Sequence, residues 1–203
     1  MPTTTFFNLP PPKRERLLRA AVSEFVQKPF NEVSINRIIH VAEIPRGSFY
    51  QYFENKMDLF QHILDYFGEQ LEKAILDSLD ACGGDLLAVP LKLFDTVLAC
   101  IQENHLESQA LTGIIRQNVG MDAGQLWDFT GIVQTVLDRT DMSRLRTGGP
   151  EEQIALLDLL LSSTAQALMS ASCGKLTLEE SRERLINKIA IIRRGAENKE
   201  EPC

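Results

Sequence analysis

Residues 46–60 read RGSFYQYFENKMDLF, and this stretch decides the fold. Pro45 precedes it, and the fixed φ of proline suits the first position of a helix. Phe49 and Phe53 lie four residues apart, so both face one side of a short helix over residues 45–52. The stretch therefore predicts a helix with an apolar inner face and a polar outer face, and the outer face carries Arg46, Ser48, Tyr50 and Gln51.

Two further helices are predicted before this stretch. Apolar residues recur at intervals of three and four along residues 13–27 and again along residues 35–42, which is the period of an amphipathic helix. Ser34 is placed to cap the second of these helices, and Glu43 and Ile44 form the turn to the third. Two short helices joined by a tight turn have the shape of a helix-turn-helix that reads DNA.

The run from Leu17 to Leu64 resembles the DNA-binding region of TetR-type transcription regulators. The diagnostic part is 46–60, with its small residues, aromatic pair, Tyr-x-x-Phe and lysine. This resemblance implies an N-terminal helix-turn-helix and a C-terminal helical domain that binds a ligand and forms the dimer. Three positions depart from the family pattern. Pro45 replaces a capping Ser or Thr, Glu43 occupies a turn position often held by Gly, and Pro29 begins a pair that replaces a common Gly-aromatic pair.

The polar outer face predicts the contacts with DNA. Gly47 removes a side chain where backbone must approach phosphate, and Ser48 and Gln51 can bond base edges. Arg46 can reach a guanine or a phosphate, and the tyrosine hydroxyls can reach phosphates. The helix start at Ser34 suits an anion. The predicted DNA-binding residues are Ser34, Arg46, Gly47, Ser48, Tyr50, Gln51, Tyr52 and Lys56. The resemblance implies the same roles for all of these except Gly47.

These residues also allow a purely structural interpretation. Ser34, Ser48 and Tyr52 would then be caps and solvated polar residues on a packed three-helix module. A basic cluster beside them has two interpretations as well: it either touches phosphates or forms a solvated helix face. This cluster consists of Lys13, Arg14, Arg16 and Arg19.

The rest of the chain is also predicted to be helical, since no β pattern of useful length occurs. Asn55 caps a connecting helix over 55–82, which stops at Gly83 and Gly84. Further helices are expected at about 89–104, 107–118, 123–138, 150–172 and 178–194. The fold class is therefore all-α with about nine helices. The predicted parts are an N-terminal arm and helix-turn-helix domain (1–54), a helical ligand-binding and dimerisation domain (55–195) and a flexible tail (196–203).

The helix at 150–172 carries two apolar stripes, so it needs two packing partners. We expect one face to pack in the domain core and the other to form half of a four-helix dimer interface, as TetR-like proteins use. The alternative is a purely intramolecular core. The residues assigned to the dimer interface are Ile154, Leu157, Leu161, Leu168, Leu185, Ile189 and Ile192.

Large side chains of the middle helices are candidates for a ligand pocket, although core packing explains them equally well. These candidates are Phe67, Phe94, Leu98, Met121, Trp127 and Phe129. The sequence names no inducer, and a small molecule is only what the resemblance implies.

Charge is distributed unevenly along the chain. The net charge of −7 opposes binding to nucleic acid if it is taken as an average. Residues 1–60, however, hold eight basic and six acidic side chains, so they carry +2 and the remainder carries −9. This asymmetry separates a possible DNA-facing module from an acidic body.

Several other classes of protein are disfavoured. No HExxH, GxSxG, phosphate-loop or dinucleotide motif occurs, so we expect no enzyme. The four cysteines are far apart and lack metal-ligand spacing, which favours inert thiols over a redox pair and predicts no metal or cofactor. No export signal is visible, and residues 154–169 are predicted as a buried helix too short for a membrane span.

Together these features predict a cytoplasmic, homodimeric regulator, a repressor by resemblance. It would bind a palindromic operator in double-stranded DNA and be released by an unknown small-molecule inducer, with no contact to a membrane. The alternative is a TetR-fold protein that uses DNA binding to position a protein partner, as nucleoid-occlusion factors do.

Overall fold

The computed structural model describes residues 1–102, 110, 113–114, 116–117 and 130–197. These residues form α-helices, two short 3₁₀-helices and one isolated bridge between Leu145 and Glu197, without a β-strand. The all-α prediction is confirmed. The predicted helix at 107–118, the first part of that at 123–138 and the pocket candidates Met121, Trp127 and Phe129 lie largely or wholly outside the described residues.

The N-terminal elements are α1 (Thr4–Phe7), α2 (Pro11–Gln27), a 3₁₀-helix (Phe30–Glu32), α3 (Ile35–Val41) and α4 (Arg46–Tyr52). The three predicted helices of this region are confirmed as α2, α3 and α4. Proline at the first position begins α2, and the extended backbone at Lys28 ends it. The sequence did not predict α1, which folds onto the unit because the side chain of Phe6 is fully buried.

The remaining elements are α5 (Lys56–Ala81), α6 (Val89–Gln102), α7 (Thr130–Arg139), a 3₁₀-helix (Met142–Arg144), α8 (Pro150–Ser172) and α9 (Leu178–Ala196). A capping box begins α9. The Glu180 amide donates to Thr177 Oγ1 at 3.1 Å, and the Thr177 amide donates to Glu180 Oε2 at 2.8 Å.

The described residues pack into two compact units, and α5 contributes to both. The first unit is Met1–Gln70 with the described part of Leu106–Asp128, and the second is the described part of Leu71–His105 and Phe129–Cys203. The first unit extends beyond residue 54 because Leu59, Phe60 and Ile63 of α5 pack in its core. A functional boundary at residue 54 therefore stays a prediction.

The core of the second unit lies between α6, α8 and α9. Phe94, Leu157 and Leu185 are buried in one apolar cluster there. An ion pair joins α6 and α9. Arg182 of α9 donates to the two carboxylate oxygens of Asp95 of α6 at 2.8 and 2.9 Å. The Arg182 guanidinium lowers the pKa of the Asp95 carboxyl from its ordinary value.

Helix α8 is 23 residues long and apolar enough to cross a membrane by length and composition. The expectation that this stretch is too short for a span is therefore wrong, because the helix continues past residues 154–169 at both ends. Leu156 and Leu160 nevertheless pack in the core of the second unit, and core helices of globular proteins meet the same criterion. Much of the remaining helix surface is not covered by the described residues.

The cysteines of the described residues, Cys82, Cys100 and Cys173, are free thiols. Burial raises the pKa of the Cys82 thiol, which disfavours the reactive thiolate. Cys203 lies outside the described residues.

The glycine pair after α5 gives a test of this fold. Gly83 and Gly84 both have positive φ, at 61° and 79°. A Cβ on Gly84 would meet the Arg139 oxygen and the Asp141 nitrogen, both at 3.1 Å, whereas a Cβ on Gly83 would meet nothing within 4 Å among the described residues. We expect Gly83→Ala to lower the free energy of unfolding by about 1 kcal/mol and Gly84→Ala to lower it by clearly more. Urea denaturation measures both, and equal losses would contradict the close approach.

Candidate DNA-reading surface

A tight turn locks α4 against α3. Glu43 has φ of 53°, in the left-handed region that favours glycine. The Ile44 amide then donates to the Ile39 carbonyl at 3.0 Å. Ile44 and Phe49 are buried on either side of the start of α4, so the inner face of that helix cannot rotate. This geometry agrees with the glycine that the family often has at this position, and Glu43 adopts it at a conformational cost.

The outer face of α4 is open. Arg46, Gly47 and Gln51 are exposed, Ser48 is half-buried, and Tyr50 is 49% exposed. No described atom outside the neighbouring residues and the helix backbone lies within 4 Å of where a Cβ on Gly47 would stand. Packing among the described residues therefore gives no reason for a glycine here. These five residues share one surface, as the sequence predicts, and we name them the α4 face.

Tyr52 does not share that surface. Its side chain is only 4% exposed, and its ring packs against Phe6 with 6.5 Å between centroids. The expectation of a phosphate-binding Tyr52 hydroxyl is therefore not supported by its position. Tyr52 lies three residues after Phe49, so it shares the side of α4 that faces the core.

Lys56 is also engaged within the chain. Its ammonium group donates to the carbonyls of Phe30 and Val33 at 2.7 and 3.0 Å, and to that of Asn31 at 3.4 Å. The same nitrogen lies 4.7 Å from the centre of the Phe30 ring. These contacts occupy the three donors of the ammonium, so Lys56 holds the 3₁₀-helix to α5 rather than a phosphate.

Ser34 caps α3 as predicted, since its hydroxyl accepts from the Arg37 amide at 3.4 Å. A residue that the sequence reasoning missed supports this cap. Glu24 of α2 is only 3% exposed, and its carboxylate pairs with Lys28 at 3.2 Å and Arg37 at 3.1 Å and accepts from the Ser34 amide at 3.4 Å. A glutamate on the apolar stripe of α2, seven residues after Leu17, was the signal that could have revealed it. Glu24 thus fixes the start of α3 on α2.

The N-terminal segment holds the other end of α4, which the sequence reasoning also missed. The Thr3 hydroxyl donates to the Gln51 carbonyl at 2.6 Å, and the Thr3 amide donates to the Tyr52 carbonyl at 3.0 Å. Both carbonyls belong to the last turn of α4, where helix carbonyls lack partners within the helix. The apolar pair Phe6 and Phe7, which follows three threonines, was the available signal.

Three members of the basic cluster contact protein atoms. Arg16 pairs with Glu43 at 2.9 Å, Arg19 pairs with Glu15 at 2.6 Å, and Arg14 donates to the Phe7 carbonyl at 3.1 Å. Exposed pairs of this kind are weak, so they leave both interpretations of the cluster open. Lys13 is half-buried.

The described ligand-pocket candidates do not belong to one core. Phe67 is buried in the first unit, whereas Phe94 and Leu98 belong to the apolar cluster of the second unit. Phe67 also lines a groove of about 640 Å³ in the first unit, beside α2 residues. No group of three or more His, Cys, Asp or Glu side chains among the described residues could hold a metal ion.

The predicted dimer residues differ in burial, and the structure corrects part of that set. Leu157, Leu185 and Ile189 are buried in the core of the second unit, so they are unavailable to a partner. Leu161, Leu168 and Ile192 are partly buried against the same core. Ile154 remains 47% exposed. Periodicity found two apolar faces on α8, but it did not show that Leu157 of the predicted seam packs in the core.

The left-handed turn residue gives a second test. We expect Glu43→Asn, made in an Arg16→Ala background that removes the ion pair, to raise the free energy of unfolding by roughly 0.5 kcal/mol, because asparagine tolerates positive φ better than glutamate. Glu32→Asn, at an exposed site with ordinary backbone, is the control. Denaturant titration of the variants decides, and a loss of stability specific to Glu43→Asn would show that the turn is not left-handed.

Comparison with known proteins agrees with this geometry. Residues 17–63 match the family described as bacterial regulatory proteins, tetR family. The chain is 28% identical over 135 residues to the transcriptional regulator AcuR of Cereibacter sphaeroides, covering 62% of this chain and 58% of AcuR. The chain thus spans less than two thirds of that relative. It is 24% identical over 195 residues to the transcriptional repressor DhaR of a Mycobacterium species, covering 89% of this chain and 90% of DhaR.

Among solved structures, a TetR family transcriptional regulator from Chloroflexus aurantiacus has a TM-score of 0.58 at 25% identity and covers 98% of this chain and 100% of its own. The match therefore extends from the helix-turn-helix through the helical remainder. The family consists of DNA-binding transcription regulators and not of enzymes. Residues 17–63 are thus similar to the helix-turn-helix of the tetR family, and the whole chain is similar in fold to a TetR family transcription regulator.

Proposed function

We propose that this chain is a cytoplasmic repressor that binds a palindromic operator as a homodimer and leaves it when a small molecule binds. The observation that carries the proposal is the α4 face, where polar and aromatic side chains surround a glycine that packing does not require. An uncrowded backbone flanked by Arg46 and Tyr50 suits close approach to a phosphate, while Gln51 can bond a base edge.

Repression is supported by the name of DhaR, a transcriptional repressor whose match spans most of both chains. A palindrome follows from two-fold symmetry. A dimer places two recognition helices on successive major-groove faces about 34 Å apart, so each half-site repeats the other. Release follows if a ligand binds better to the form whose two helices have a different separation.

The surface proposed for the dimer is the flank of α8 that lies beside α9 and carries Leu159. Lys188 of α9 donates to Gln166 of α8, so Gln166 lies on the flank of α8 that is next to α9. Leu159 lies seven residues before Gln166, about two helical turns, so it is on the same flank. Leu159 is 49% exposed, and Ile191 of α9, three residues from Lys188, is 61% exposed. Exposed aliphatic side chains on adjacent helices are typical of a homodimer surface.

Substitution of Gly47 in the α4 face tests operator binding separately from stability. We expect Gly47→Ala to raise the free energy of unfolding by about 0.5–1 kcal/mol, because alanine is the better helix former and finds free space. The same change should weaken operator binding about tenfold or more, because the added methyl group separates backbone from phosphate. Gly131→Ala on α7, also with no described atom within 4 Å, is the control and should leave DNA affinity unchanged.

Urea denaturation and fluorescence anisotropy with operator DNA measure the two quantities. A Gly47→Ala protein that is more stable and binds the operator as well as the parent would contradict the α4 face as the contact surface.

The dimer surface has a matched control on the same helix. Leu159 and Ile154 are equally exposed but five residues apart, so they point about 140° apart around α8. We expect Leu159→Glu to shift the protein to a monomer at micromolar concentration, because a buried unpaired carboxylate is costly, and Ile154→Glu to leave the dimer intact. Sedimentation equilibrium gives the masses. A dimer broken by Ile154→Glu and not by Leu159→Glu would place the interface on the other flank.

A further inference from the structure

A groove runs along the first unit between α2 and the first half of α5. Its volume of about 640 Å³ is within the range of small-molecule sites. Leu18, Val22 and Val26 line it at intervals of four residues along α2, and Ile63 and Phe67 line it from α5 at the same interval. The groove is therefore an apolar channel between two helices that also support the recognition helix.

Close packing limits the groove at the C-terminal part of α2. A Cβ on Gly113 would stand 2.7 Å from Val26 Cγ1, so the backbone at Gly113 lies directly on that side chain. Ala110 also lines the groove. An apolar ligand would therefore extend from this part toward the start of α2.

The end near the start of α2 is polar, with Arg14, Glu15, Arg19 and His62 in its lining. The Arg19 guanidinium forms an ion pair with the Glu15 carboxylate at 2.6 Å, which neutralises its charge. Burial lowers the pKa of His62, although the carboxylates of Asp65 and Asp58 oppose that shift, so the imidazole is neutral near pH 7. Among the described residues, no carboxylate pairs with Arg14. Its guanidinium is thus the uncompensated positive charge at this end of the groove.

Arg14 and His62 also hold α1 in place. Arg14 donates to the Phe7 carbonyl at 3.1 Å, and the His62 ring meets the edges of the Phe6 and Phe7 rings at 5.2 and 6.1 Å between centroids. Thr3, just before α1, binds the last carbonyls of α4. A ligand at this end of the groove would therefore touch the residues that fix α1, and through Thr3 the end of the recognition helix.

We propose that this groove binds a small amphipathic carboxylate, whose apolar body lies along Leu18, Val22 and Ile63 and whose carboxylate takes the Arg14 guanidinium. A carboxylate forms stronger, charge-assisted hydrogen bonds with a guanidinium than a backbone carbonyl does, so it draws Arg14 away from Phe7. Loss of that contact loosens α1 and Thr3 from α4, which lowers DNA affinity. The inference rests on the proposed function, in which a small molecule releases the protein from its operator.

Calorimetric titration of the full-length protein with octanoate, and with octanol as the uncharged analogue, tests the site. We expect octanoate to bind at least about tenfold more tightly than octanol, and Arg14→Gln to abolish that preference. Val22→Phe, which fills the channel, should weaken binding of both probes. Lys13→Gln removes a neighbouring positive charge outside the groove and should change neither affinity. Circular dichroism confirms that each variant is folded.

The proposed route from the groove through α1 to α4 is tested by measuring operator binding with and without octanoate. Saturating octanoate should weaken operator binding of the parent protein by about tenfold, within the usual range of allosteric coupling. Thr3→Val removes the hydroxyl that caps Gln51, so it should weaken operator binding without octanoate and reduce the octanoate effect to less than about threefold, while octanoate affinity stays the same.

The groove is overturned as the site if the parent protein does not bind octanoate. It is also overturned if Arg14→Gln and Val22→Phe each bind octanoate as tightly as the parent protein does. An octanoate effect on DNA that is unchanged in Thr3→Val overturns the path through α1. The proposed function survives these failures if the protein still selects a palindrome and another small molecule releases it. It fails by itself if no operator is bound, whatever octanoate does.

Discussion

The structure of the DNA-reading surface depends on how far α4 is rotated about its own axis. Phe49 and Phe53 are completely buried, and both lie on one side of the helix. Burial of two aromatic side chains contributes several kcal/mol, far more than any polar contact on the opposite side. The core of the first unit therefore sets the direction of Arg46, Tyr50 and Gln51, and we propose DNA as the partner of these exposed side chains.

Contacts at both ends of the helix pair preserve that rotation. Glu24 fixes the start of α3 by pairing with Arg37 and accepting from the Ser34 amide, and Thr3 caps the last turn of α4. A buried carboxylate is stabilising only while its partners remain, so the Glu24 contacts resist displacement of α3. Thr3 instead depends on a four-residue helix in which only Phe6 is buried. The end of α4 is thus held by fewer buried contacts than the start of α3.

The sequence alone predicted the helices well, and it predicted side-chain environments less well. Periodicity and caps found α2, α3, α4, α8 and α9, because these signals lie within a few residues of one another. The roles of Tyr52 and Lys56 could not be predicted in the same way, since they depend on Phe6 and on the carbonyls of residues 30–33, which are distant in the sequence. Likewise, the two apolar stripes of α8 look alike in sequence, and only packing against α6 and α9 shows that Leu157 belongs to the core.

The central claim is that the α4 face reads an operator. The most direct measurement is selection of genomic DNA fragments by the purified protein over a series of salt concentrations, with folded Tyr50→Ala protein treated in parallel. The account predicts fragments that share a palindrome with half-sites about one helical turn apart, enriched by the parent protein and lost with Tyr50→Ala. Equal enrichment by both proteins, or no shared sequence at any salt concentration, would contradict it.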